Sequence, residues 1–138
     1  MKIAYVDTSV VLRFILGEEN PFLKWDQFKR IYASSLLRVE ALRTIDRFRL
    51  RGAMTDEEVA LRINLLSKVI KPLSEIPLLM SVLNRAAEPF PTMVATLDAL
   101  HLASAWVLKD KIGINPLFLT HDQKLQKAAQ AMSFEVLG

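Results

Sequence analysis

The chain opens on a short apolar, β-rich run, Lys2 to Val6 (KIAYV), which stops at Asp7-Thr8-Ser9. These are three residue types that cap helix N-termini. Val10 to Leu16 then reads as a helix closed by Gly17, and Arg30 to Ala33 as a second strand. From Ser35 the period becomes helical, with Leu37, Ala41, Ile45 and Phe48 on one stripe that ends at Gly52. Thr55-Asp56-Glu57-Glu58 has the form of a capping box, followed by Val59, Ile63, Leu66 and Ile70 at helical spacing. Pro77 predicts the first turn of another helix, and Thr96 the cap of one running through Asp98 to about Leu108. Leu117 to Thr120 (LFLT) reads as a strand behind Pro116. Asp122 then opens a helix striped by Leu125, Ala128, Ala129 and Met132, and Ser133 to Leu137 supplies a last short strand.

Strands separated by helices need crossover connections, which give a parallel sheet covered on both faces. The expected class is therefore α/β, with three layers. No repeat or linker-like stretch divides the 138 residues, so residues 1–138 are read as a single domain. In such sheets ligands gather at the carboxyl ends of the strands, where the strand order reverses. Asp7 and Asp122 each follow an apolar strand closely, which puts both carboxylates on that edge.

Composition narrows the chemistry. With 51% apolar and 24% charged residues, 4 Gly and 6 Pro, the chain is neither disordered nor fibrous. The absence of Cys removes disulfides, zinc-thiolate sites and thiol nucleophiles together. The longest apolar stretch, Thr92 to Leu108, carries Asp98 and His101 near its middle, which argues against a membrane span. Asp7 interrupts the N-terminal apolar residues before a signal-peptide core forms, so the cytoplasm is the expected location. Net charge is only +3, but Lys24 to Arg51 holds eight basic residues against three acidic ones. Such a segment suits a polyanionic partner, or else it is a solvated helix face.

Four acids carry the candidate chemistry, and each also has an ordinary reading. Asp7 and Asp122 are placed to cap helices, and Asp98 to favour a helix dipole. Glu40 is placed to pair with Arg43 at i+3. Their surroundings are unusual for surface acids. Asp98 lies within VATLDALHLASAWVL and Glu40 within SSLLRVEAL, both strongly apolar. Carboxylates brought together there would repel and raise one another's pKa. A hard divalent cation relieves that conflict, and all-oxygen ligands suit Mg²⁺ or Mn²⁺ better than zinc. Arg43, Arg47 and Arg51 fall within about 60° of Glu40 on a helical projection. They either track a phosphate backbone or exchange salt bridges with acids such as Asp46. Trp25 and Trp106 read as packing residues, and His101, one turn from Asp98, as a hydrogen-bonding group of the interior rather than a metal ligand.

YVDTSVVL (Tyr5 to Leu12), ASSLLRVEALR (Ala33 to Arg43), LDALHLASA (Leu97 to Ala105) and FLTHDQKL (Phe118 to Leu125) occur in an order and spacing that resembles the PIN-domain nucleases. The likeness is to the VapC-type ribonuclease toxins of toxin–antitoxin pairs in particular. It spans essentially the whole chain, and its strength lies in four weak motifs together. It implies a three-layer α/β/α PIN-like fold with a parallel sheet of four to five strands. The family's metal-binding acids fall on Asp7, Glu40, Asp98 and Asp122, and its small hydroxyl positions on Ser9 and Thr120. The resemblance further implies RNA hydrolysis to 3′-hydroxyl and 5′-phosphate ends, a homodimer, and a small VapB-type antitoxin over the groove. Ser133 departs from it, because many relatives turn with Gly before the last strand. A haloacid-dehalogenase-type phosphatase wants a second Asp two residues after the first, where this chain has Ser9. A receiver domain fails similarly, lacking an acidic pair after the first strand. A catalytically silent PIN-like module that binds RNA or protein is the non-enzymatic alternative.

Overall fold

The computed structural model describes residues 2–138. Five strands, β1 (Lys2–Val6), β2 (Phe28–Ser34), β3 (Ser74–Ile76), β4 (Leu117–Leu119) and β5 (Glu135–Leu137), form one sheet in the order β3-β2-β1-β4-β5. Every neighbouring pair is parallel. The helices are α1 (Thr8–Ile15), α2 (Leu36–Leu50), α3 (Asp56–Ile70), α4 (Met80–Ala86), α5 (Thr96–Ile112) and α6 (Gln123–Ala131).

The central strand explains the three layers. Side chains alternate across a strand, so Ala4 and Val6 pack into one core with α1, α2 and α3. Tyr5 points the other way, into a second core with α4, α5 and α6. All three are fully buried. Strand β4 repeats the pattern, with Leu117 and Leu119 on the first side and Phe118 on the second. A strand buried on both faces reads as a continuous apolar run, as KIAYV and LFLT do.

Several boundaries differ from those the sequence suggests. Strand β3 is not anticipated: it is three residues of mixed polarity at the sheet edge, with only Ile76 buried. Pro77 does not open a helix. It accepts the Leu79 N–H at 2.9 Å in a tight turn after β3, and α4 starts at Met80. Thr96 is the first residue of α5 rather than its cap, the cap position falling on Ala95 with no side-chain bond. The same helix runs on to Ile112 and stops at Gly113, whose φ of +69° is the left-handed conformation usual at a helix end. Ser133 takes the same φ of +69° ahead of β5, the conformation that glycine adopts most cheaply. The capping box at Thr55 is present with both reciprocal bonds. Among the described residues, no helix is long and apolar enough to cross a membrane.

Candidate active site

Strand order reverses about β1, with β2 on one side and β4 on the other. A groove of about 480 Å³ lies at the carboxyl edge there, and its wall includes Asp7, Glu40, Asp98 and Asp122. The four acids come from four separate chain segments: the end of β1, α2, the first turn of α5 and the loop after β4.

Asp7 is 5% exposed. Its N–H donates to Leu119 O at 3.0 Å, which prolongs the β1–β4 pairing by one residue and fixes where the side chain emerges. It sits at the cap position of α1, yet its carboxylate makes no cap bond. The Ser9 hydroxyl donates to Asp7 Oδ1 at 2.7 Å instead. Ser9 also accepts the His121 N–H at 3.0 Å, so it ties the two strand ends together. Thr120, fully buried, stands 3.4 Å from Ser9 and accepts the Asp122 N–H at 3.0 Å. Burial pushes the Asp7 carboxyl up to about 6, against the pull of Ser9, His101 and Thr120.

Glu40 does not pair with Arg43. Its Oε1 accepts the Thr8 hydroxyl at 2.7 Å and stands 2.7 Å from His101 Nε2, while Arg43 turns to Asp46 at 3.0 Å. The reason is the direction of the side chain: Glu40 points inward over α1 and α5, and Arg43 is exposed. Burial raises the Glu40 carboxyl, but the hydrogen bond and charge of His101, with Thr8, outweigh it and hold the group below the ordinary carboxylate range.

Asp98 is half-buried in the first turn of α5, and it is raised by burial and then by the charge of Asp122, with His101 partly offsetting them. Asp122 serves both readings at once. Its Oδ1 caps α6 by accepting the N–H groups of Lys124 at 2.9 Å and Leu125 at 3.1 Å, and the residue also lines the groove.

The basic residues divide. Arg43 and Arg47 reach the groove wall, and Arg51 does not. Eleven residues beyond Glu40, Arg51 lies roughly 16 Å further along the helix axis. Arg47 donates to Thr44 at 3.0 Å, while Asp46 takes both Arg43 and Arg49. Trp25 packs edge-on against Phe22 at 5.0 Å. Trp106 departs from the packing expectation, being 36% exposed and approached by Arg85 and Lys109 at 5.3 and 5.2 Å. A larger hollow of about 570 Å³, beside Phe22 and His121, carries a single acid, Glu135, and so lacks the donor cluster.

Thr8 and His101 are the site residues that motif reading underrates. Thr8 is visible only as the middle of D-T-S, and His101 only as i+3 to Asp98. Their contacts with Glu40 cross from α1 and α5 to α2, which no local spacing encodes.

Among the described residues, no three His, Asp or Glu side chains already converge as a closed metal cage would require. The donor chemistry nonetheless fits a hard divalent ion. All four acids offer oxygen, two of them are held up by burial and mutual charge, and a cation in the groove relieves both.

A family model for the PIN domain matches residues 4–131. The chain belongs to the PIN-domain family. Solved structures agree on the fold at low identity. VapBC2 from Rickettsia felis, bound to a DNA fragment from the promoter, is 12% identical, with 98% of this chain and 97% of that one covered and a TM-score of 0.68. FitAB bound to an IR36 DNA fragment is 15% identical, covering 98% and 93%, at 0.70. VapC20 from Mycobacterium tuberculosis, a sarcin–ricin loop cleaving toxin, is 14% identical, covering 92% and 95%, at 0.58. Among curated proteins none matches the sequence. As in other PIN domains, the sheet is central and the helices flank it.

Proposed function

We propose that this PIN domain is a divalent-metal-dependent endoribonuclease acting as the toxin of a VapBC-type toxin–antitoxin pair. One observation carries the reading: four carboxylates from four chain segments line a single groove at the switch point of a parallel sheet. The VapBC2 and FitAB neighbours, and the toxin that cleaves the sarcin–ricin loop, support the choice of system and of RNA as substrate. Residues 1–138 are taken as one nuclease domain, located in the cytoplasm, homodimeric, and partnered by a VapB-type antitoxin over the groove.

Asp7, Glu40, Asp98 and Asp122 are the residues to hold Mg²⁺ or Mn²⁺. Bound there, the ion supplies charge neutralisation at a phosphate and lowers the pKa of a water. The chain's own part is geometric. Ser9 orients Asp7, Asp122 is fixed by its capping bonds, and Thr120 braces the loop between them. Arg43 and Arg47 give the groove rim a positive edge for the phosphate backbone.

The test is cleavage of single-stranded RNA by the partner-free protein. Cleavage is expected with Mg²⁺ or Mn²⁺, and its loss on chelation and in Asp98→Asn, while metal-free Asp98→Asn melts no lower than the parent. Cleavage that persists in excess chelator rejects the metal-dependent reading. No cleavage under any metal would instead favour the silent binding module.

The split among the arginines makes a separate prediction. Each phosphate contact on single strands adds about −0.7 to the slope of log affinity against log salt. Measured in Ca²⁺ to suppress cleavage, Arg47→Gln is expected to flatten that slope by roughly one contact's worth, and Arg51→Gln to leave it unchanged. Equal effects would mean that the RNA path follows all of α2 rather than the groove.

A further inference from the structure

A chain of buried hydrogen bonds runs from the middle of the central strand to the groove. The Tyr5 hydroxyl stands 2.7 Å from His101 Nδ1, and His101 Nε2 stands 2.7 Å from Glu40 Oε1. Tyr5 is fully buried, while His101, 2% exposed, edges the groove wall behind Glu40. The proton positions follow from what each group can do. The Glu40 carboxylate only accepts, so Nε2 carries the hydrogen that faces it. Nδ1 meets the Tyr5 hydroxyl, which holds the orientation of the ring. Thr8 places a second donor on the same oxygen, 3.4 Å from Nε2. Both contacts fall on Oε1, so Glu40 is held through one oxygen from two helices.

Resting on the metal-dependent reading above, we propose that His101 is a positioning residue, held in orientation by Tyr5, that fixes the Glu40 carboxylate in place for the cation. A histidine fully packed in a core needs partners for two nitrogens, and an apolar residue fills such space at no desolvation cost. Here Nδ1 is taken by Tyr5 in the core and Nε2 by a carboxylate of the groove, so the ring links the two. Donors that hold a metal-binding carboxylate commonly change metal affinity or activity by 10- to 100-fold when removed.

The experiment compares Mn²⁺ binding by calorimetry, the kcat and KM for RNA, and thermal melting across wild type, His101→Gln, His101→Leu and Tyr5→Phe. Gln reproduces the Nε2 donor, Leu keeps bulk without it, and Phe removes only the hydroxyl that orients the ring. His101→Leu is expected to weaken Mn²⁺ binding by tenfold or more and to lower kcat with little change in KM. His101→Gln should restore affinity to within about threefold of wild type, and Tyr5→Phe should fall between them. Mn²⁺ affinities within twofold of wild type in every folded variant, whatever their melting temperatures, overturn the positioning role. Should His101→Leu not fold, Tyr5→Phe against His101→Gln decides by the same criterion. Wild type that binds no Mn²⁺ overturns the metal reading itself, a different result from variants that bind it equally well.

Discussion

Asp7→Asn is expected to melt at a higher temperature than the parent in metal-free buffer at pH 7, and to cleave no RNA with metal present. The stability gain follows from burial. Asp7 is 5% exposed, and its carboxyl titrates at about 6 instead of 3.8. Between those values the folded chain holds a proton that the unfolded chain has already lost. Stability therefore falls as pH rises from about 4 to 6, and the full penalty persists above that range. At 1.36 kcal/mol per tenfold change in proton affinity, the penalty is on the order of 3 kcal/mol at neutral pH. Asn removes it while keeping an oxygen to accept the Ser9 hydroxyl now 2.7 Å from Oδ1. A gain of roughly 2–3 kcal/mol amounts to several degrees in a domain of this size. Glu40 works in the opposite sense. Its lowered carboxyl contributes stability above its ordinary range that is lost as pH falls, so wild type and variant must be compared across pH. The check is chemical denaturation from pH 4 to 8 without metal. Parallel curves, with no widening gap between pH 4 and 6, would mean that Asp7 is ionised at little cost. Burial would then impose no charge penalty at Asp7.

A residue that stabilises the apo fold when neutralised, and whose charge is required for cleavage, would support the cation-binding role proposed for Asp7. The same logic reaches Asp98, where burial and the charge of Asp122 act together, though partial exposure makes the effect smaller.

What could be read from the sequence depended on how local each signal was. KIAYV and LFLT identified the two inner strands because a strand buried on both faces is apolar throughout. Asp7 and Asp122 followed at once, since topology puts whatever succeeds such strands on one edge. Strand β3 was illegible, because Ser74-Glu75-Ile76 is an edge strand whose place comes from pairing with Tyr32–Ser34 rather than from its own pattern. Pro77 is compatible with both a helix start and a turn, and the Leu79 bond to its carbonyl shows which was used. Glu40 was legible as an acid in apolar surroundings, but not its partners. Spacing along α2 suggested Arg43, whereas the actual donors come from α1 and α5, 32 and 61 residues away. Asp122 shows that a capping acid and a groove acid need not be alternatives.

The largest loss of stability is expected at Phe118, in the strand that leads through buried Thr120 to Asp122 in the groove. Phe118 is fully buried, stacked on Tyr5 at 5.3 Å and tilted against Phe134 at 5.8 Å. Strand β4 has only three residues, and β1 and β5 flank it. The sheet cannot shift to fill a gap there without breaking two ladders. Phe118→Ala is therefore expected to cost about 3–5 kcal/mol, the upper range for a truncated aromatic core residue. Phe118→Leu, which keeps most of the volume, should cost less than half of that. Tyr5 leans on the same ring, so the loss should also loosen the hydroxyl that orients His101. Mn²⁺ binding by Phe118→Ala, measured well below its melting temperature, is then expected to weaken more than in Phe118→Leu. Denaturant midpoints give the stability and calorimetry the affinity. A cost below about 1.5 kcal/mol for the alanine variant would show that the layer collapses around the gap, and that the aromatic stack is not what holds β4 in place.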